Sequence, residues 1–211
     1  MSSDERHGVR VEQMLIAAIA TTAAIGLGIA TQTRRTAALD RTVRSAVRAR
    51  RPQIVRLAKA ASFPAAPQAH TAVAVASVAT IHAATGRFAA APVIASLLAF
   101  GIDRASRLFV DQLRPPFAGK RSGLDRFGFP SGHTSAATAI AFATAMEVAR
   151  GGAPATKAAA YVMAGLYSAA VGWSRVALDE HWADDVLGGW AIGVGIASIA
   201  VTACDVVDAG W

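Results

Sequence analysis

The 211-residue sequence is poor in cysteine and in charged residues. Its single cysteine, Cys204, excludes an intrachain disulfide and a cysteine-based metal site. Charged residues make up only 17% of the chain, whereas a soluble domain usually carries about 25%. This deficit, together with a mean hydropathy of +0.39, favours a membrane protein, which we expect to form one domain over residues 1–211.

The charge that is present is strongly basic, with a formal net charge of +7 and an isoelectric point of about 10.7. An anionic partner is expected, and nucleic acid, lipid headgroups and phosphorylated substrates all fit. The basic segment, residues 34–59, holds nine basic residues against one acid, Asp40. Its arginines recur at helical spacing, and Pro52 breaks or restarts the helix. The segment lacks aromatic residues and base-reading motifs, so we predict an amphipathic interfacial segment that contacts anionic lipid, and no nucleic-acid partner.

Six apolar stretches follow one another along the chain and predict an all-α fold, a six-helix transmembrane bundle. They cover residues 12–33, 65–85, 88–113, 133–150, 155–173 and 185–208. Small residues dominate them, which lets membrane helices approach closely. The hydropathy of each stretch is modest, so a buried soluble bundle stays open as an alternative. His70 and His82 lie in the second stretch, and we predict hydrogen-bonded places for both inside the bundle.

Three polar clusters interrupt the apolar stretches, and the first contains Arg107 and Arg114, followed by Pro115. The two arginines are seven positions apart, nearly two helical turns, so we predict that they project from one helical face. Two guanidiniums on one face form a fork suited to phosphate oxygens. An ordinary cluster at a membrane edge would explain this motif equally well.

The second cluster, Pro130-Ser131-Gly132-His133, directly precedes the fourth apolar stretch. A helix N-terminus exposes unpaired backbone N–H groups and is a ready anion site. Gly132 would let the backbone approach an anion, Ser131 would add a hydroxyl donor, and His133 would exchange a proton from the first turn. The alternative is a helix start capped by Ser131, which leaves His133 unexplained.

The third cluster combines four polar residues: Ser174, Arg175, His181 and Asp185. His181 and Asp185 are four positions apart, on one helical face, so the carboxylate can accept a proton from one imidazole nitrogen. The other nitrogen is then free to act as a nucleophile, although such a pair taken singly is usually structural. Three neighbouring acids are interpreted as helix-start charges or solvated groups: Asp179, Glu180 and Asp184.

The order of the stretches predicts where these clusters lie. With six spans, the chain between the third and fourth spans and the chain between the fifth and sixth emerge on the same side. All three clusters fall in these two regions. We therefore expect them to converge on one site.

The three clusters resemble the signature of the type 2 phosphatidic acid phosphatase superfamily. That signature is Lys-x6-Arg-Pro, then Pro-Ser-Gly-His, then Ser-Arg-x5-His-x3-Asp. The second and third motifs are complete in this sequence, and the first departs only where Arg107 replaces lysine. The motifs cover residues 107–185, and the resemblance implies the six-helix membrane form of the family. The basic segment is not part of the signature.

The resemblance implies a membrane phosphatase that acts on a lipid phosphate or a polyprenyl (pyro)phosphate. His181 would form a phosphohistidine, Asp185 would orient it, and His133 would protonate the leaving group. The implied phosphate-binding groups are Arg107, Arg114, Ser131, the amide of Gly132 and Arg175. Three arginines would supply the positive charge that other phosphatases take from metals. The sequence also has no carboxylate cluster with metal-ligand spacing. We therefore expect neither a metal nor a cofactor.

Two other functions compete with this expectation. A vanadium-dependent haloperoxidase-like enzyme would share the motifs. Such enzymes have a similar site, but they are soluble and much larger, whereas this chain is short and membrane-like. A catalytically silent lipid-binding membrane protein would share the fold, but every reacting position is filled here. The sequence leaves open which lipid phosphate is the substrate and what the oligomeric state is.

We expect a multi-pass cell (inner) membrane protein, and two arguments disagree about the face that carries the site. The resemblance implies an extracytoplasmic site. The positive-inside rule gives the opposite answer, because sixteen basic residues fall on the motif side and five on the other. We favour the extracytoplasmic face.

Overall fold

The protein is all-α, as the apolar stretches predict. The computed structural model describes residues 3–116, 118–119 and 121–208. In these residues, Leu113 and Phe127 form one isolated antiparallel β-bridge. Its helices are α1 Ser3–Gln32, α2 Ala37–Val47, α3 Pro52–Ser62, α4 His70–Thr85, α5 Ala91–Ser106, α6 Gly132–Ala149, α7 Pro154–Ala177 and α8 Ala183–Asp208. Two short 3-10 turns, Phe63–Ala65 and Gly123–Arg126, complete the description.

Six of these helices correspond to the six apolar stretches, and local sequence explains where several begin and end. Prolines stand in the first turns of α3, α5 and α7, where a missing N–H costs nothing. Gly86 ends α4 in the left-handed conformation with a φ of 71°. Pro52 restarts the helix of the basic segment, which therefore forms two helices, α2 and α3.

Two helical regions within the described residues, Gly8–Gln32 and Ala183–Val207, are long and apolar enough to cross a membrane. The expected six spans are thus not established by length and hydropathy. The reason is clear for α4 and α5, which have 16 residues each, whereas a span needs about 20. The expectation of six spans is taken up again below as a proposal.

The helices alternate in direction, which defines two ends of the bundle. The motif end contains the ends of α1, α5 and α7 and the starts of α4, α6 and α8. The opposite end is held by ion pairs, in which Arg87 meets Glu147 at 2.8 Å and Arg150 meets Asp205. Arg10, near the start of α1, donates to the Asp205 carbonyl at 3.2 Å.

Helices α6 and α8 pack closely through glycine. A Cβ added at Gly193 would lie 2.5 Å from Thr138 Cβ, and one added at Gly189 would lie 2.9 Å from Thr134 Cβ. Neither Cβ fits without a shift, so the absence of a side chain allows the two helix backbones to approach. This contact fixes the start of α6 beside the start of α8.

Candidate active site

The three polar clusters line one cavity of about 200 Å³ at the motif end. We call it the motif cavity. Six of the eight predicted site residues form part of its wall: Arg107, Arg114, Gly132, His133, Arg175 and His181. The other two, Ser131 and Asp185, are fully buried behind it. The convergence expected from the order of the stretches is therefore confirmed.

His181 lies in the bend between α7 and α8 and is held from both ring nitrogens. Its Nδ1 is 3.1 Å from Asp185 Oδ2, and its Nε2 is 2.8 Å from Arg114 Nη1. A guanidinium can only donate, so Nε2 accepts and Nδ1 carries the proton that Asp185 accepts. The expected pair is present, although His181 precedes α8 rather than sharing its helical face.

Asp185 stands in the first turn of α8 and supports the helix start as well as the histidine. Its Oδ2 accepts the backbone N–H of Trp182 at 2.9 Å, the reciprocal half of a capping box. Its backbone carbonyl accepts the N–H of Ser131 at 2.9 Å. The carboxylate is therefore fixed in position before it orients the imidazole.

The prediction that Arg107 and Arg114 share one helical face is wrong. Helix α5 ends at Ser106, seven residues earlier than the apolar pattern suggested, and Arg114 lies in an extended segment. The backbone N–H of Arg114 donates to the Arg126 carbonyl at 3.1 Å, beside the bridge between Leu113 and Phe127. Tertiary pairing thus replaces the last helical turns and carries Arg114 across to His181.

Arg107 is buried and bound by two acids. Its Nη2 lies 2.9 and 3.0 Å from the two carboxylate oxygens of Asp103, and its Nη1 lies 2.9 Å from Asp125. The buried Nε atoms of Arg107 and Arg175 have no hydrogen-bond acceptor among the described residues. Each of these guanidiniums, which line the motif cavity, therefore keeps one N–H without an acceptor in the described part of the chain.

The start of α6 places Gly132 and His133 on the cavity wall. A Cβ at Gly132 would lie 2.7 Å from Asp103 Oδ1, so a larger residue would displace the carboxylate that Arg107 holds. His133 stands in the first turn, as predicted. Ser131 forms no capping hydrogen bond, and its hydroxyl accepts one from Thr134 at 2.9 Å. The simple capping alternative therefore does not account for Ser131.

The charges around the cavity favour a neutral histidine. Burial lowers the pKa of His181 well below its usual range, and the positive charges of Arg114 and Arg175 lower it further. Burial and the charge of Arg107 likewise lower the pKa of Arg114 from its ordinary value. A neutral His181 keeps a lone pair on Nε2 at neutral pH, where it accepts from Arg114 at 2.8 Å.

The interpretation of three acids as helix-start charges or solvated groups is wrong for Asp179, whereas Asp184 does stand in the first turn of α8. Asp179 is 4% exposed and Asp184 is fully buried, whereas Glu180 reaches Arg121 at 2.8 Å at the cavity rim. Asp179 Oδ2 accepts from Arg44 Nη2 at 2.9 Å and lies 3.3 Å from Arg48 Nε. The basic segment is thus attached to the loop that carries His181.

Asp184 lies at the centre of a second network of hydrogen bonds, at the end of α1. Its Oδ2 accepts from Thr31 at 2.8 Å and from Thr36 at 2.6 Å, and its Oδ1 accepts from Gln112 at 2.6 Å. Its backbone N–H donates to Asp40 Oδ1 at 3.1 Å. The residue beside the orienting Asp185 is therefore anchored by α1, by α2 and by the segment after α5.

Several wall residues were missed at the level of sequence. Asp103 stands four positions before Arg107, and that helical spacing was a usable signal. Asp125 carried no such signal. As predicted, His70 is hydrogen-bonded: its Nδ1 lies 2.6 Å from Ser96 Oγ. His70 also lines the cavity. The prediction for His82 is wrong, because its exposed ring stacks on Phe88.

Comparison with known proteins gives one family and two relatives. The family model described as the PAP2 superfamily matches residues 89–206. Phosphatidylglycerophosphatase B of Bacillus subtilis (strain 168) is 34% identical over 104 residues, which cover 46% of this chain and 51% of that relative. The alignment therefore spans about half the length of each protein.

A solved structure resembles the fold over most of its length. It is the crystal structure of the first transmembrane PAP2 type phosphatidylglycerolphosphate phosphatase from Bacillus subtilis, with a TM-score of 0.71 and 24% sequence identity. The similarity covers 89% of this chain and 94% of that one. The likeness extends beyond the family match to the helices that precede residue 89.

Proposed function

The chain belongs to the PAP2 superfamily, and from this membership we propose that it is a membrane phosphatase that hydrolyses a lipid phosphate through a phosphohistidine, without a metal. The observation that carries the proposal is the state of His181. Its Nδ1 is paired with Asp185, and the residue lines a cavity whose wall holds five arginines, among them Arg107, Arg114 and Arg175. This is the arrangement that a nitrogen nucleophile attacking a phosphate requires.

The first chemical step transfers the phosphoryl group to the enzyme. The Nε2 lone pair of His181 forms a bond to phosphorus while the bond from phosphorus to the leaving oxygen breaks. His133 gives that oxygen its proton. Asp185 stabilises the positive charge that develops on the imidazole as the N–P bond forms.

The second step reverses these roles. Water attacks phosphorus opposite the N–P bond, and His133, now neutral, accepts a proton from the water. The N–P bond breaks, its electrons return to Nε2 of His181, and inorganic phosphate is released. Through both steps the arginines neutralise the phosphoryl oxygens. The two donors without acceptors, Nε of Arg107 and Nε of Arg175, are available for this, and Ser131 and the Gly132 amide complete the set.

We propose a lipid carrying a phosphomonoester as the substrate. The named relatives are phosphatidylglycerophosphate phosphatases, and phosphatidylglycerophosphate ends in such a group. The apolar helices α1 and α8 support a place in the membrane, and the alternating directions of α1 and α4–α8 are consistent with six spans. The motif end would then lie at the bilayer surface, where a lipid phosphate is presented.

The direct test is phosphate release from such lipids by detergent-purified protein. His181→Ala should abolish turnover, because it removes the nitrogen that forms the covalent intermediate. His82→Ala is the matched control, since that exposed ring lies outside the motif cavity, and it should retain full activity. Wild-type turnover in His181→Ala would refute the mechanism.

The same assay tests metal independence. Activity should persist in excess chelator and should be inhibited by vanadate, which mimics the five-coordinate phosphoryl species. Activity that is lost in chelator and restored by magnesium would place the enzyme in another catalytic class. Haloperoxidase activity that appears only after vanadate is added would instead favour the haloperoxidase-like alternative.

We further propose that the motif end faces the extracytoplasmic side and that the basic segment contacts anionic lipid there. Arg34, Arg35, Arg50 and Arg51 are exposed around α2 and α3, which supports contact with headgroups. A cysteine introduced at Gly123, where the chain is exposed, should react with an impermeant reagent in intact cells. Labelling only after permeabilisation would place the site on the cytoplasmic side.

A further inference from the structure

A second cavity, of about 580 Å³, opens beside the motif cavity. We call it the polar cavity. It lies between the end of α1, the start of α2 and the segment after α5. Arg114 lines both cavities, so its side chain lies between them. Trp182 closes the same wall, where its Nε1 donates to the Leu113 carbonyl at 2.9 Å.

The polar cavity also adjoins an apolar groove of about 460 Å³ between α1, α5 and α8. Gln32 lines both. Its side-chain oxygen accepts the Asp111 N–H at 3.0 Å, which ties the end of α1 to the segment after α5. An apolar groove, a polar cavity and the motif cavity therefore follow one another, in the order of an acyl chain, a headgroup and a terminal phosphate.

The polar cavity carries two arginines that the fold does not use. Arg34 and Arg41 line it and are exposed, and in the described part of the chain no ion pair with a carboxylate involves either. Two carboxylates, Asp40 and Asp111, share the lining. Asp40 is turned towards the Asp184 amide at 3.1 Å. Counting Arg114, three cations face two anions, and the cavity favours a negative ligand.

Arg34 occupies a position where glycine would be the stable choice. Its φ is 56°, and it follows α1 in a Schellman arrangement, with Arg34 N–H donating to Thr31 and Arg35 N–H donating to Ala30, both at 2.9 Å. A residue with a Cβ costs about 1 kcal/mol there. A guanidinium at such a site is consistent with a use for the side chain.

We propose that the polar cavity binds a second, non-scissile phosphate of the lipid substrate, with Arg34 and Arg41 as its ligands. The inference rests on the proposed function and narrows its substrate class. The favoured lipid carries two phosphates separated by a spacer, one in each cavity, with an acyl chain in the apolar groove. Phosphatidylglycerophosphate has this form.

Two other lipid phosphates fit the three cavities less well. Phosphatidic acid has one phosphate and leaves Arg34 and Arg41 without a ligand. In a polyprenyl diphosphate the two phosphates share an oxygen, so no spacer holds one in each cavity. The structure therefore favours a substrate whose two phosphates are held apart.

The test is the ratio of kcat/KM for phosphatidylglycerophosphate to kcat/KM for phosphatidic acid. Arg34→Gly combined with Arg41→Gln should lower this ratio about tenfold, which is the effect expected for losing charged hydrogen bonds. Glycine suits the φ of 56° at position 34, so the fold is not threatened. The matched control, Arg50→Gln with Arg51→Gln, removes the same charge from the basic segment outside the cavity and should leave the ratio unchanged.

The outcomes separate this inference from the proposed function. An unchanged ratio in the cavity variant, or an equal fall in the control, would overturn the inference while phosphatase activity stands. A wild type that hydrolyses neither lipid would overturn the proposed function and the inference with it. A polyprenyl diphosphate that shows the same dependence on Arg34 and Arg41 would refute the requirement for a spacer.

Discussion

The half of the chain that carries the motifs, α5 to α8, is built differently from the N-terminal part, α1 to α3. Helices α6 and α8 approach at glycines that tolerate no Cβ, whereas Gly26 in α1 has nothing within 4 Å of such an atom. The N-terminal part reaches the motif end through polar contacts, from Thr31 and Thr36 to Asp184 and from Arg44 to Asp179. The close packing holds the starts of α6 and α8 together, whereas the groove and the polar cavity both open beside α1.

The strongest test of the motif half is Asp185→Asn. An amide can donate to Nδ1 of His181, which moves the ring proton to Nε2 and removes the lone pair that attacks phosphorus. We expect kcat to fall about 10³- to 10⁴-fold. The same Oδ2 position accepts the Trp182 N–H, so an amide nitrogen turned towards Nδ1 gives up that bond, and we expect the free energy of unfolding to fall by about 1 kcal/mol. A variant with more than a tenth of wild-type kcat would show that tautomer control is unimportant.

The difference in packing can be tested directly with two alanines. Gly193→Ala forces a Cβ to within 2.5 Å of Thr138 Cβ and 2.9 Å of the Ser135 carbonyl, so we expect destabilisation by about 3 kcal/mol. Gly26→Ala is the matched change in the N-terminal part. It should stabilise α1 by about 0.5 kcal/mol. Equal unfolding temperatures for the two variants would contradict the comparison.

Asp179→Asn tests the connection between the two parts. Asparagine tolerates the φ of 61° at this position, so the backbone of the loop should persist. Arg44 and Arg48 would lose their carboxylate, and we expect a loss of about 2 kcal/mol in the free energy of unfolding. The loop carries His181, so kcat/KM should also fall. Arg56→Gln, an exposed change in α3, is the control and should alter neither quantity.

The smallest effect concerns Asp40. Burial and the charge of Asp184 raise the pKa of Asp40 to about 6 from 3.8. The folded protein then binds more protons than the unfolded chain between these values, so stability falls as pH rises across that window. Asp40→Asn removes this cost and should stabilise the protein by about 1 kcal/mol or less above pH 6, because the cavity beside it admits solvent. The gain should vanish towards pH 4 in thermal unfolding.

The sequence predicted the helices well because each is an apolar run that ends at a proline, a glycine or a polar cluster. The site was predicted residue by residue where spacing is local, as for His181 and Asp185. Arg114 was misplaced, because its pairing with Arg126 overrides the helical pattern and involves a residue outside the motif. The burial of Asp179 and Asp184 was missed, because their partners lie 72 to 153 residues away along the chain.

The hydrogen bond between Arg114 and Nε2 of His181 has a consequence for the resting protein. A guanidinium donates to the Nε2 lone pair at 2.8 Å, so a neutral electrophile that enters the cavity meets a histidine whose lone pair is already engaged. A phosphate differs, because its oxygens attract the guanidinium away from the ring. In the proposed mechanism the substrate would thereby free the nitrogen that attacks it, and acylating reagents should modify His181 slowly until an inert phosphate analogue is bound.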